Sequence, residues 1–295
     1  MISQPIALIG ADGQLGTDLA TYFQENNISF YPLYYPQFDI TQPEKARRQL
    51  ASLKPKVVIN TAAYHRVDEC EDYPERAFLV NALAIRHLAL ICGELESSLV
   101  HFSTDYVFDG QKKNPYVEED CPRPLSVYAA SKLAGEYFVQ AFLERYFLIR
   151  TCGLYGVAGC WGKGTNFVET MIKLAREGRA IKVVNDQKVT PTSTRELAEK
   201  IAELLKINAY GLYHLTNEGQ CTWFEFAQKI FEYLNLKPEL IPVSSQEFGA
   251  KARRPPYSVL ENKKAKALGL TSFSPWEEAL KDYLQRKSYL AGDKR

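Results

Sequence analysis

No two cysteines in this sequence are spaced as C-x-x-C. The six present, Cys70, Cys92, Cys121, Cys152, Cys160 and Cys221, are scattered, several of them in apolar stretches. That pattern suits reduced thiols and excludes a disulfide framework or a cysteine-based metal site. The four histidines, at positions 65, 87, 101 and 214, show no metal-ligand spacing, so no metal is expected and each reads as structural or solvated. Charge of one sign is missing too. With 36 basic against 35 acidic side chains and a net charge of +1, nothing favours a nucleic-acid partner or an anionic membrane surface. No G-x-S-x-G elbow points to a hydrolase, and there is no internal repeat or low-complexity tract. No apolar run is expected to approach the length of a bilayer span, and a strand-like run begins by Ile6, leaving no room for a leader, so a soluble protein of the cytoplasm is expected.

What is present is alternation. Short apolar runs at residues 6–10, 29–33, 56–60, 99–103 and 147–151 predict strands. The segments 15–25, 43–53, 74–95 and 128–145 carry helical periodicity. Strand-helix alternation of this kind predicts an α/β fold, a Rossmann-type doubly wound parallel sheet covered on both faces. Residues 1–152 are assigned to a nucleotide-binding domain and 153–295 mainly to a smaller α+β substrate domain, with later segments free to return to the first. In the second half, helix starts are predicted from capping boxes at Ser193 with Glu196, Thr222 with Glu225, and Ser274-Pro275 with Glu277. Residues 153–164 hold five glycines and read as a loop at the domain junction or cleft mouth. The aromatic stripe Trp223, Phe224, Phe226, Phe231 and Tyr233 reads as helix core.

Two motifs carry chemistry. Gly10, Gly13 and Gly16 sit between the first strand and the first helix, where side chains would block a phosphate from the exposed N–H groups and the helix terminus adds partial positive charge. The second strand runs into Leu33, Tyr34 and Tyr35, with no carboxylate to repel a ribose 2′-phosphate and no arginine to hold one. Asp39 is the nearest acid; it reads equally as a ribose or adenine contact and as part of a turn before a helix capped by Thr41 and Glu44. The second motif is Tyr128 and Lys132, which share a helix face at i and i+4. A neighbouring ammonium favours the ionised phenol and brings it toward a useful working pH for proton transfer to a ketone oxygen. Thr104, just past a strand end, is placed to hydrogen-bond that oxygen.

With these residues in view, the sequence resembles the extended short-chain dehydrogenases/reductases, and within them the reductases of dTDP-4-keto sugars. The resemblance runs through the glycine loop, residues 58–64, Val67, Asp68, Glu71, Asn81, the 103–109 string, Tyr128 to Lys132, Asn166-Phe167, residues 185–187, Pro191-Thr192 and Arg254-Pro255. It implies Tyr128 as proton donor, Lys132 as the residue that holds the nicotinamide ribose and tunes Tyr128, and Thr104 as the third member. It also implies a cofactor site of Gly10, Asp12, Gly13, Gln14, Leu15, Gly16, Asp39, Ile40, Ala62, Ala63 and Tyr64. Thr104, Asp105, Tyr106, Asn166 and Arg254 would meet the sugar. The implied reaction is reduction of the 4-keto group of dTDP-4-dehydro-6-deoxy-L-mannose to dTDP-L-rhamnose, with NADPH and also NADH as reductant. A nucleotide sugar is the expected partner and a homodimer is compatible with the sequence. Two alternatives stand beside this: an NADP-binding regulatory subunit like that of methionine adenosyltransferase, and a reductase or epimerase of another nucleotide sugar. One departure is visible. Where the resemblance places a tryptophan after Arg-Thr-Ser, this chain has Cys152-Gly153, and Trp161 in the following loop is the expected replacement.

Overall fold

A computed structural model of the chain describes residues 2–159 and 164–290. Its central feature is a six-stranded, fully parallel sheet. Five strands come from the first half: β1 (Ile6–Ile9), β2 (Phe30–Leu33), β3 (Val57–Asn60), β4 (Ser98–Thr104) and β5 (Tyr146–Thr151). The sixth, Gly211–His214, joins beyond β5, so the order runs from it through β5, β4, β3 and β1 to β2. In register, Ile9 lies beside Asn60, Asn60 beside His101, and Thr104 beside Thr151. The polar residues at the carboxyl ends of neighbouring strands therefore form one rim.

The strands read as unbroken apolar runs because both faces are covered. Ile6, Leu8, Val57, Ile59, Val100, Phe102, Phe147 and Ile149 point into one core, with Leu19 and Phe23 of helix α1 (Gln14–Glu25) and Leu197 and Ile201 of the helix Thr194–Ile207. Ala7, Ile9, Val58 and Leu99 point into the other, against α2 (Pro43–Leu53), α5 (Ala84–Glu94) and α6 (Val127–Phe142). Two elements of the second half thus complete the first layer. Between α2 and α5 lie α3 (Val67–Asp72), α4 (Pro74–Phe78) and a π-helical turn, Leu79–Leu83. A separate core, built on Tyr155, Met171, Phe226, Trp276 and Leu280, holds the rest of the second half together.

Several local expectations are corrected. The Thr222–Glu225 capping box forms as read. Ser193 begins its helix without a side-chain cap, with Glu196 turned to Asn217 and Ser274, and Pro275, not Ser274, occupies the last N-cap position, the Ser274 hydroxyl being donated to Glu196. The α2 helix starts after Gln42 rather than after a capping Thr41, whose hydroxyl is donated to Asp39. The stretch Pro74–Glu94 has 21 residues and contains an 18-residue window with a mean hydropathy of 1.4, long and apolar enough by length and composition to cross a membrane, contrary to the sequence expectation. Half of that window is buried within the protein, with Ile85, Leu88 and Ile91 in the second core, which is the behaviour of an interior helix.

Candidate active site

The strand order reverses between β1 and β3, and a cleft of about 1060 Å³ opens beyond the carboxyl ends of the strands there. Its floor is the glycine loop. Gly10 has φ +75°, and a Cβ on it would lie 2.6 Å from Thr61 Oγ1, whose hydroxyl donates to the carbonyls of Ile9 and Gly10. A Cβ on Gly16 would lie 2.0 Å from the Gly10 carbonyl oxygen. Gly16 thus lets α1 close onto the loop and does not itself line the cleft, so its part in a cofactor site is indirect. Gly13 caps α1 without a side chain, leaving first-turn N–H groups for an anion. Gln14 donates to the Leu154 carbonyl at 3.0 Å, tying the loop to the far wall.

Asp12, Leu15, Asp39, Ile40, Ala62, Ala63 and Tyr64 also line the cleft. Asp39 takes both the N–H and hydroxyl of Thr41, at 2.9 and 2.7 Å, an Asx turn that orders this rim while leaving the carboxylate on the cleft wall. Burial and the Glu69 carboxylate, which accepts the Tyr64 hydroxyl at 2.7 Å, push the Tyr64 phenol up to about 12.

The 62–64 segment is fixed to α6 by one asparagine. Asn81 accepts the Tyr64 N–H at 2.8 Å and donates to the Tyr64 carbonyl at 2.9 Å and to Ser131 Oγ at 3.0 Å; Ser131 in turn donates to the Tyr128 carbonyl at 2.8 Å. Asn81 sits on the π-helical turn, an irregularity common at functional sites. Gly135 permits the approach, since a Cβ there would meet the Asn81 carbonyl oxygen at 2.3 Å. Position 81 entered the sequence reading as part of a resemblance only; its signal is a lone amide in an otherwise apolar run.

Tyr128 and Lys132 both open into the cleft from α6. The helix is capped by Ser126, and Glu71 accepts the Val127 N–H at 2.8 Å. Lys132 is 2% exposed, and its ammonium donates to the Phe102 carbonyl at 2.6 Å. Burial brings its pKa down to about 8, opposed by Glu136 one turn on. Glu136 itself is clamped to Arg150 of β5 by three hydrogen bonds of 2.7–3.2 Å, an ion pair with side chains 0% and 3% exposed. This pair was not foreseen; its signal is a carboxylate at i+4 from Lys132 on an apolar helix facing an arginine at a strand end.

Across the cleft, Thr104 ends β4. Its hydroxyl accepts the Tyr106 N–H at 3.2 Å and donates to Asp105 at 3.1 Å. Asp105 also accepts the Cys152 thiol at 3.0 Å; Ser258 faces the same carboxyl without reaching hydrogen-bond geometry. Burial raises the Asp105 pKa to about 6. Tyr106 stands edge-on to Tyr128, with ring centres 6.2 Å apart. Arg254 reaches the cleft wall but is already bidentate on Asp68, at 2.8 and 3.1 Å, which holds the Asp68 carboxyl below its usual range. Asn166 does not line the cleft. It caps the helix Phe167–Arg176 and donates to the Gly156 carbonyl and to Tyr283, leaving nothing for a substrate. Trp161 lies outside the described residues. Trp223, read as helix core, instead lines the cleft, while Phe226 and Phe231 of the same helix are core as expected. Among the described residues, no group of three His, Cys, Asp or Glu is placed to hold a metal.

A glycine cradle facing a tyrosine–lysine pair across the switch point is shared by many reductases and epimerases, and the family is settled by comparison. The model of the RmlD substrate binding domain matches residues 4–289. This chain belongs to the RmlD family. The RmlD relatives include the spore coat polysaccharide biosynthesis protein SpsK of Bacillus subtilis, 36% identical over 96% of this chain and 98% of that protein. The dTDP-4-dehydrorhamnose reductase of Mycolicibacterium smegmatis is 36% identical over 96% of this chain and 85% of its own length. The crystal structure of dTDP-4-dehydrorhamnose reductase from Bacillus anthracis in complex with NADP superposes with a TM-score of 0.92 at 38% identity, covering 97% of this chain and all of that one. The RmlD-family chain is thus an α/β oxidoreductase with a Rossmann-type parallel sheet.

Proposed function

We propose that this chain reduces the 4-keto group of dTDP-4-dehydro-6-deoxy-L-mannose, giving dTDP-L-rhamnose, with NADPH as reductant. The observation that carries the reading is that Tyr128, Lys132 and Thr104 open into the same cleft as the glycine loop. The residues fit a dinucleotide: Gly10 and Gly13 line the cleft without side chains, Gly16 lets α1 close onto the loop, and the start of α1 keeps its N–H groups for the pyrophosphate. When bound, the nicotinamide supplies the hydride. Tyr128 gives its proton to the carbonyl oxygen as negative charge develops there, and Lys132, which is cationic below about pH 8 and opens into the same cleft one turn along α6, favours the phenolate that remains. Phe102 holds the Lys132 ammonium in place through its carbonyl. The Thr104 hydroxyl, turning from Asp105, gives the same oxygen a second donor, and the Asn81–Ser131 link keeps the cofactor wall and α6 in register. Arg254, fixed by Asp68, shapes the sugar end rather than moving to meet it.

The test is incubation of the purified chain with NADPH and the keto sugar, following loss of the reduced nicotinamide absorbance and the stereochemistry of the product. Stoichiometric NADPH oxidation with formation of the rhamnosyl nucleotide is expected. Binding of NADPH without turnover would replace the reading with a regulatory role, and sugar inversion without net NADPH loss would replace it with an epimerase.

A further inference from the structure

Next to the reacting centre the cleft wall has a position without a side chain. Gly153 follows Cys152, whose thiol donates to Asp105, and Asp105 adjoins Thr104. The backbone of Gly153 is at φ +53°, and a Cβ there would lie 3.3 Å from Trp223 Cη2 and 3.3 Å from Pro191 Cα. The indole edge therefore occupies the room that a side chain at position 153 would need. Two residues distant in sequence complement each other, one absent and one large.

Trp223 is held rigidly. It is the first residue of the helix Trp223–Tyr233, directly after the capping box in which Thr222 and Glu225 exchange hydrogen bonds of 3.1 and 2.7 Å. The Thr222 hydroxyl donates to Asn185 at 2.8 Å. The indole packs on Phe167 with ring centres 4.9 Å apart and is backed by Phe226, 6.4 Å away and fully buried. Trp223 itself remains half-buried and lines the cleft with Gly153, Leu154 and Phe167. A core residue would have been covered as Phe226 is. A rigid aromatic surface at the mouth of a polar site is what binds the C–H face of a sugar ring, because it offers apolar area at little entropic cost.

We propose that Trp223 is a specificity-determining residue whose indole forms the wall against which the 6-deoxyhexose ring of the nucleotide sugar packs. This rests on the reductase reading above. The sugar, not the base, is assigned to it because the contacts from Gly153 through Cys152 and Asp105 lead to Thr104, which faces the reacting carbonyl. The base is separated from that carbonyl by the whole diphosphate.

The experiment compares wild type with Trp223→Ala, Trp223→Leu and Trp223→Phe in the full chain. The readouts are KM and kcat for the dTDP-4-keto-6-deoxy sugar, dissociation constants for NADPH and for dTDP alone, and thermal melting. Trp223→Ala is expected to raise KM about tenfold, with Trp223→Leu close behind because it keeps volume but not the flat ring, and Trp223→Phe is expected to recover most of the loss. NADPH and dTDP should bind as to wild type. A KM within twofold of wild type in the Ala and Leu variants overturns the proposal, including the case where melting temperature falls and Trp223 is simply structural. An equal weakening of dTDP alone moves the indole to the base and overturns the sugar assignment. A wild-type chain that reduces no such sugar removes the reductase reading and this proposal with it, whereas an active wild type with a flat KM series removes this proposal alone.

Discussion

Replacing Glu136 by Gln changes one charge in the least accessible ion pair among the described residues. Glu136 is 0% and Arg150 3% exposed at the side chain, and three hydrogen bonds join them. The guanidinium also lies 5.2 Å above the Phe108 ring, its Nη1 has no hydrogen-bond partner among the described residues, and Glu136 is the one carboxylate there that pairs with it. Leaving a buried cation uncompensated costs about 3–5 kcal/mol. With an unfolding entropy of about 2.1 cal/mol/K per residue over 295 residues, that lowers Tm by about 5–8 °C. The pair also joins α6 to β5 one turn beyond Lys132, so Glu136→Gln is expected to lower kcat as well as Tm. Calorimetric melts of the purified variant measure the first effect and steady-state kinetics the second. The double variant Glu136→Met with Arg150→Met should recover most of the lost Tm, because an apolar pair of similar volume has no charge left to solvate. A Tm loss under about 2 °C in Glu136→Gln, or a double variant less stable than it, would refute this reasoning.

Tyr128→Phe is expected to keep the fold and the NADPH dissociation constant while kcat falls about 10²- to 10⁴-fold, the usual contribution of a positioned general acid; near-wild-type turnover would remove Tyr128 from the chemistry. Asp105 gives a pH signature: its folded pKa of about 6 lies above its ordinary value of 3.8, so the stability it contributes is complete below pH 3.8 and is lost as pH rises through 6. The shift corresponds to about 3 kcal/mol. Asp105→Asn should therefore melt higher relative to wild type at pH 8 than at pH 5, and a Tm difference independent of pH would contradict this. NADPH should be preferred over NADH modestly, because the β2 strand ends in Leu33 followed by Tyr34 and Tyr35 with no carboxylate at that position, and Asp39 is engaged by Thr41; a kcat/KM ratio strongly favouring NADH would mean that Asp39 reaches the ribose.

The alternation of runs such as residues 6–9 and 57–60 with amphipathic segments was enough to read a parallel sheet, because a strand covered on both faces must be apolar at every position. The three glycines and the Tyr128–Lys132 spacing were legible for a similar reason: backbone clearance and i, i+4 geometry are local properties. Local signals failed where partners compete over long range. Ser193 and Ser274 have the sequence of caps, but Glu196 turns to Ser274 and Asn217 instead. Asn166 and Arg254 looked equally available for a substrate, yet one is consumed by a helix start and the Gly156 carbonyl, and the other by Asp68, 186 positions away. Trp223 and Phe226 belong to one aromatic stripe, and only the folded arrangement puts the first on the cleft, beside Gly153, and the second beneath it. The Asn81 bridge and the Glu136–Arg150 pair likewise exist only once α6 is laid across the sheet. The sequence by itself determined the layer architecture and the groups able to move a proton; tertiary structure decided which polar groups remain free to meet a ligand, because hydrogen-bond saturation depends on partners that only folding brings within 3 Å.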